Sequence, residues 1–309
     1  MKIDKIYNLI IIGSGPAGLA ASIYASRYGI SHQIYGKILG GQISETHNID
    51  NYPGMEDMNG VEFSAKWGHH AGKYGIKINP ALVTNIKKED NLLELGLENK
   101  EIVRAKAILL ATGTKRRKLG ITSEEKFIGR GVSYCATCDG FFYKGKTVAV
   151  IGGSDSAAGA ALYLANICEK VYLIYRKEEL RCEPYWTKLI EESEKIEVIY
   201  DTNIKEIAGS DKVEKVVLDR EYQEKLELAV DGVFIEVGSN PDFSYASGLG
   251  LDVDEGGYIK IGRDCSTNVS GVWAAGDITD GSDKFRQVIT AAAEGAIAVR
   301  SIFNFLRKK

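Results

Sequence analysis

The stretch LIIIGSGPAGLAASIYAS, residues 9–26, decides the architecture, because a later stretch, VAVIGGSDSAAGAALYLA at 148–165, lies on it in register. Gly13 falls on Gly152, Ile23 on Leu162 and Tyr24 on Tyr163. Each copy runs from a short apolar segment through a glycine-rich turn into an apolar pattern of helical period, which is the opening of a βαβ nucleotide-binding unit. Two such units predict two nucleotide sites.

The first copy keeps the full G-x-G-x-x-G spacing. Gly13 makes the tight turn, Gly15 lets backbone approach a pyrophosphate and Gly18 lets helix pack closely on strand, with Ser14, Pro16 and Ala17 completing the turn. The helix that follows offers unpaired N–H groups and a partial positive charge to phosphates. The next strand ends in HQIYGK, 32–37, with no acid for a ribose 2′-hydroxyl, which argues against NAD at this site. The second copy reads Gly152, Gly153, Ser154, Asp155, Ser156, Ala157, so a serine stands where the middle glycine belongs and crowds the pyrophosphate approach. Its hydroxyl can in turn donate a hydrogen bond to a phosphate. The strand after it ends VYLIYRKEELR, 171–181, where Arg176, Lys177 and Arg181 suit a ribose 2′-phosphate. This leans to NADPH over NADH; the alternative is a solvated basic loop.

The chain has 309 residues, 44% hydrophobic and 26% charged, enough apolar material for one large domain or two ordinary ones. A net charge of −3, with both signs interspersed, argues against a nucleic-acid binder. The apolar run Leu9 to Ile12 is too short for a signal or a membrane span, and no other segment approaches eighteen uninterrupted apolar residues, so no membrane is expected. Five cysteines, three of them isolated, do not make a secreted disulfide framework and predict a reducing cytoplasm.

SYCATCDGFF, 133–142, carries the chemistry. Zinc at Cys135 and Cys138 needs two further ligands at comparable spacing, whereas the other cysteines are solitary and His69 and His70 are adjacent in a helical-looking segment. A redox reading fits better. Disulfide exchange needs one thiolate to attack and a second sulfur to resolve, and two intervening residues bring the sulfurs into bonding range. Asp139 then carries the proton that each half-reaction takes up or releases. Cys168, Cys182 and Cys265 read as buried and inert.

Several segments together resemble the low-molecular-weight, bacterial-type thioredoxin reductases among the FAD-dependent pyridine nucleotide-disulfide oxidoreductases: IIGSGPAGLAA, GGQI (40–43), NYPG (51–54), LLATG (109–113), YCATCDG (134–140), GGSDSAAGAALYLAN (152–166), VWAAGDIT (272–279) and the run from Arg286. The resemblance implies an α/β fold with two Rossmann-like dinucleotide-binding domains, the second inserted into the first. An FAD domain would span 1–115 and 246–309, and an NADP(H)-type domain bearing the CxxC would span 116–245. It implies FAD on Gly40, Gly41, Gln42, Asn51, Ala111, Thr112, Gly113, Gly276, Asp277, Arg286, Gln287 and Val288, besides the first glycine turn. The charged run Lys115 to Lys118 is expected to be a solvated crossing.

By the same resemblance Cys138 faces the flavin, Cys135 attacks the disulfide of thioredoxin or a similar protein, the domains rotate between two states, and the protein is a homodimer. The departures gather at the nicotinamide site: Ser154, Gly159 and Ala160 where the family usually carries glutamates, and Tyr175 where a histidine commonly precedes the arginines. Reduced ferredoxin or another non-NADPH donor is therefore an alternative. A flavin-dependent dithiol oxidase using oxygen is a second, but it would have no use for the basic triplet.

Overall fold

The computed structural model describes residues 6–308. The chain forms two compact α/β units, Met1–Lys115 with Asn240–Lys309, and Arg116–Ser239 inserted between them. The return to the first unit comes at Asn240 rather than at 246, because Asp242 pairs with Lys115 and Phe243 and Tyr245 pack on the first unit's own apolar cluster.

The first unit is built on a seven-stranded sheet. Ile6–Ile12 lies parallel between His32–Tyr35 and the long strand Ile102–Leu110. The latter forks: its first half joins an antiparallel hairpin, Val83–Glu89 with Leu92–Leu97, and its second half pairs with Val272–Ala274. Parallel strands covered on both faces read as continuous apolar runs. Accordingly Leu9 and Ile11 enter one core and Ile10 and Ile12 the other, all four buried.

The helix Pro16–Arg27 and the C-terminal helix Val288–Arg307 pack together through small residues. A Cβ at Gly295 would lie 2.1 Å from the Ala17 carbonyl oxygen, so the close approach requires glycine there. Val288–Arg307 is long and apolar enough to cross a membrane by length and composition. Its face Val288, Ala291, Glu294, Gly295, Ala298, Val299 and Ile302 is buried, as in a core helix of this unit.

The second unit has a five-stranded parallel sheet in the order Ile196–Ile199, Lys170–Ile174, Thr147–Ile151, Gly232–Ile235, Val132–Ser133. A separate antiparallel sheet, Ile204–Ala208, Lys215–Tyr222 and Lys225–Ala229, closes one side of its core. The charged run at the entry is not merely solvated. Arg116 pairs with buried Glu236 at 2.7 Å and Lys118 with Glu125 at 2.7 Å, while Lys115 holds Asp242.

Candidate redox site

The first glycine turn is shaped partly by the protein and partly for something else. Gly13 has φ +119°, and a Cβ there would lie 2.0 Å from the Ala111 carbonyl oxygen; a Cβ on Gly18 would lie 1.9 Å from the Gly13 carbonyl oxygen. Both glycines are demanded by backbone contact. Gly15 is not: the nearest atom to its Cβ would be Gly40 O at 3.7 Å. Space therefore remains over the N-terminus of Pro16–Arg27, whose first turn has no acidic residue and no side-chain cap.

The other loops of this unit converge on the same turn. Gly40 N–H donates to Ser14 O at 2.8 Å, and Ser14 Oγ donates to Ile38 O at 2.7 Å. Ala111 N–H donates to Ile12 O at 2.7 Å, and a Cβ on Gly276 would be 3.0 Å from the Ala17 Cβ. Gln42 Nε2 donates to Thr114 O at 2.5 Å, Thr112 shares a hydrogen bond with the Tyr245 hydroxyl at 2.9 Å, and Asn51 Nδ2 donates to Gln287 Oε1 at 3.1 Å. Gln287 itself caps the C-terminal helix that starts at Val288.

Two polar groups in this ring lack a hydrogen-bond partner among the described residues. The half-buried Asp277 carboxylate makes no hydrogen bond among the described residues, and burial pushes it up to about 6, with Arg286 opposing and Glu294 adding to the rise. Arg286 Nε is buried without a hydrogen-bond partner, its guanidinium 4.0 Å from the centroid of the Tyr258 ring. An acceptor and a donor left unsatisfied beside an open helix N-terminus fit a dinucleotide with hydroxyls and phosphates.

The sign of the Asp277 shift gives a prediction. The fold favours the protonated form, so the stability this group contributes is present at acid pH and lost as pH rises through about 6. Asp277→Asn should raise the urea midpoint of flavin-free protein at pH 7.5, corresponding to ~1–2 kcal/mol of unfolding free energy, with the gain disappearing towards pH 4. An unchanged midpoint at pH 7.5 would contradict it.

Glu294, 6% exposed, was not among the residues expected from sequence. It accepts from Gly276 N–H at 2.8 Å, the Thr279 hydroxyl at 3.2 Å and the Ser282 hydroxyl at 2.5 Å, so it pins the loop that bears Asp277. A lone acid on the buried side of an otherwise apolar helical pattern was the available signal.

In the second unit the glycine turn is covered by its own chain. A Cβ on Gly153 would lie 2.6 Å from the Tyr175 ring, Arg181 N–H donates to Gly153 O at 2.8 Å, and Glu183 N–H donates to Asp155 Oδ1 at 2.8 Å. Ser154 is the N-cap of Asp155–Ala165 but makes no cap bond; its hydroxyl lies 3.4 Å from that of Ser156. Ala157 is buried beneath. Arg176, Lys177 and Arg181 are exposed and form no ion pair among the described residues. They are available to an anion.

Cys135 and Cys138 are joined as a disulfide, their Cα atoms 5.3 Å apart. They follow the strand Val132–Ser133, at the same carboxyl edge of the sheet from which the turn Gly152–Gly153 follows Thr147–Ile151. Cys138 is exposed and Cys135 half-buried. The Cys138 N–H donates to Cys135 Sγ at 3.1 Å, a bond that stabilises negative charge on that sulfur once the bridge opens. Ser133 Oγ accepts from the Cys135 N–H at 3.0 Å and donates to Asp139 Oδ2 at 2.6 Å.

Tyr134 anchors the loop from the other side. Its hydroxyl donates to the buried Glu124, which also accepts from the N–H groups of Leu119 and Gly120 at 2.9 and 2.8 Å. Burial and this carboxylate push the phenol up. Cys168 and Cys265 are buried as expected, but Cys182 is only half-buried, 3.4 Å from the Thr187 hydroxyl. Among the described residues no group of three or more His, Cys, Asp or Glu could hold a metal ion.

A family model described as pyridine nucleotide-disulphide oxidoreductase matches residues 7–295. A thioredoxin reductase of Bacillus subtilis (strain 168) is 37% identical over 313 residues, covering 100% of this chain and 97% of that protein. The crystal structure of Lactococcus lactis thioredoxin reductase matches with a TM-score of 0.93 at 36% identity, covering 98% of this chain and 100% of that one. A ferredoxin-flavin thioredoxin reductase from Clostridium acetobutylicum matches with a TM-score of 0.54 at 34% identity, covering 98% and 99%.

Proposed function

Because the chain belongs to the pyridine nucleotide-disulphide oxidoreductase family, we propose that it is a thioredoxin reductase, which passes two electrons from NADPH through FAD and the Cys135–Cys138 disulfide to the disulfide of a thioredoxin. The observation that carries this reading is a formed disulfide with a hydrogen-bonded carboxylate beside it, on the sheet edge that also bears the second glycine turn. Ligands of parallel α/β sheets bind at that edge.

FAD belongs to the first unit. The turn Gly13–Gly18 would hold its pyrophosphate, Asp277 would offer an acceptor and Arg286 a donor to its polar groups, and Gln42, Asn51 and Gln287 would line the site. When bound, FAD supplies the two-electron relay between nicotinamide and disulfide. The protein's own residues do the rest. The Cys138 N–H steadies a thiolate on Cys135, which attacks the partner disulfide; Cys138 then resolves the mixed disulfide, and its proton passes through Asp139 to the partner thiolate expelled first. A homodimer and a reducing cytoplasmic setting belong to the same reading.

Anaerobic mixing of oxidised holoprotein with NADPH tests it: the visible flavin absorbance should fall, and oxidised thioredoxin should restore it. A second reading, with reduced ferredoxin as donor, is favoured by Ser154 and by the acid at the start of Asp155–Ala165. Absorbance that stays unchanged with NADPH and falls with reduced ferredoxin would select it.

Asp155 supplies a sharper measurement. A carboxylate in the first turn opposes the phosphates that a helix N-terminus attracts. Asp155→Asn should lower the KM for NADPH about 3- to 10-fold with kcat unchanged, the equivalent of ~1 kcal/mol. A KM that rises would assign Asp155 to binding instead.

A further inference from the structure

We propose that Ser133 is a positioning residue for disulfide exchange: its hydroxyl, held by the Cys135 N–H, fixes Asp139 so that one carboxylate oxygen is free to move the proton of the exchange. The inference rests on the reading of Cys135, Cys138 and Asp139 given above, and adds a residue that neither touches a sulfur in that scheme nor belongs to the CxxC.

Ser133 is 5% exposed and ends the edge strand Val132–Ser133. A buried hydroxyl needs partners, and this one has three contacts, all within the redox loop. It accepts from Cys135 N–H at 3.0 Å, lies 3.3 Å from Cys135 O, and donates to Asp139 Oδ2 at 2.6 Å. The Asp139 N–H meanwhile donates to Cys135 O at 3.2 Å. Backbone and side chain of Asp139 are thus both tied to Cys135, and the serine is the clasp. Parallel pairing of Ser133 with Phe234 fixes the serine backbone in the sheet. The Oδ2 atom is occupied by the serine proton, while Oδ1 has no hydrogen-bond partner among the described residues.

The chemistry needs such an arrangement at one step. The Cys135 thiolate attacks the partner disulfide, forming one S–S bond and expelling one partner thiolate. The Cys138 thiol then loses its proton and attacks Cys135 Sγ, closing the protein's disulfide and expelling the second partner sulfur. Two electrons leave the dithiol and reduce the partner. One proton moves from Cys138 Sγ to the Asp139 carboxylate and on to the first expelled thiolate. A carboxylate that can rotate presents its free oxygen to this transfer only part of the time, and misplacement of a proton carrier costs rate without changing affinity.

The test isolates that step from the cofactors. Protein reduced by dithiothreitol and freed of reductant is mixed with oxidised thioredoxin, and closure of its disulfide is followed in a single turnover. Ser133→Ala should slow closure about 10- to 100-fold, with the concentration of thioredoxin giving half the maximal rate unchanged. With 5,5′-dithiobis(2-nitrobenzoate), whose expelled thiolate needs no proton, the first equivalent should be released at the wild-type rate. Ser133→Thr, which keeps the hydroxyl, should behave as wild type with both acceptors. In the double variant Ser133→Ala with Asp139→Asn, closure should be no slower than with Asp139→Asn alone.

Equal slowing with both acceptors, additive losses in the double variant, or a Ser133→Thr protein as slow as Ser133→Ala would each overturn the proposal. Should Ser133→Ala not fold, the Thr variant alone decides, since loss of rate there contradicts a role for the hydroxyl. If Asp139→Asn closes at the wild-type rate, the reading of Asp139 as proton carrier fails; if Asp139→Asn is slow while Ser133→Ala is not, the serine alone is acquitted.

Discussion

Cys138→Ser should abolish multiple-turnover reduction of thioredoxin, by more than about a thousandfold, while flavin retention stays at the wild-type level. Exchange through a single sulfur stops at the mixed disulfide, because a serine oxygen cannot close the bridge. The Cys135 thiolate, still steadied by the N–H of residue 138, should therefore accumulate as a covalent adduct with thioredoxin, visible on a non-reducing gel and cleared by dithiothreitol. The two buried thiols cannot substitute. Cys168 and Cys265 are buried, which pushes their thiols up to about 11 and about 12, and a thiol held protonated does not attack. Substantial steady-state turnover by Cys138→Ser, with no adduct, would remove this pair from the catalytic path.

The second large effect separates two glycines of the same turn. In Gly18→Ala the new methyl would sit 1.9 Å from the Gly13 carbonyl oxygen, a backbone atom that can yield only by moving the first strand or the helix. Destabilisation of the first unit by about 3 kcal/mol or more is expected, with flavin lost as a consequence. In Gly15→Ala the methyl meets only Gly40 O at 3.7 Å, an ordinary contact. Flavin-free Gly15→Ala should then unfold within ~1 kcal/mol of the wild type, yet bind FAD about a hundredfold more weakly, because its methyl occupies the pyrophosphate approach. Urea denaturation of flavin-free protein and titration with FAD give the two numbers. Wild-type FAD affinity in Gly15→Ala would refute the assignment of this turn to the dinucleotide.

What could be read from sequence follows from where each constraint originates. Gly18 answers to a collision with Gly13 inside one strand-turn-helix, and Gly13 and Gly152 each sit at the tight turn of such a local unit with positive φ. Their spacing therefore survives as a motif, even though the backbone that Gly13 and Gly152 would strike belongs to the neighbouring strands, at Ala111 and Glu236. Leu9 to Ile12 read as a buried parallel strand because both faces are covered, and CATCDG declares itself by the closeness of two sulfurs. Ser133, Glu124 and Glu294 escaped notice for the opposite reason. Each acts through one side chain on partners set by tertiary contact, such as Glu294 on Gly276, Thr279 and Ser282, and a single serine or glutamate has no period to betray it.

The second glycine turn was only half legible. Ser154 stood out as a departure in the fingerprint, but nothing local foretold that the Tyr175 ring would press on Gly153 or that Glu183 N–H would find Asp155. The return at Asn240 was legible only to within a few residues, for a similar reason. Its position is set by Lys115 and Asp242, residues far apart in the chain whose pairing leaves no trace in composition.

The split of the first unit has a bearing on how the molecule is made. Its core joins Leu9 and Ile11 to Ala298, Val299 and Ile302, so it cannot close until the last helix has left the ribosome. The inserted unit, contiguous from Arg116 to Ser239, is synthesised whole well before then and can condense first. The segment that emerges earliest is thus among the last to find its partners, and a nascent chain halted short of Glu294 would carry a finished disulfide loop on a protein not yet able to grip its pigment.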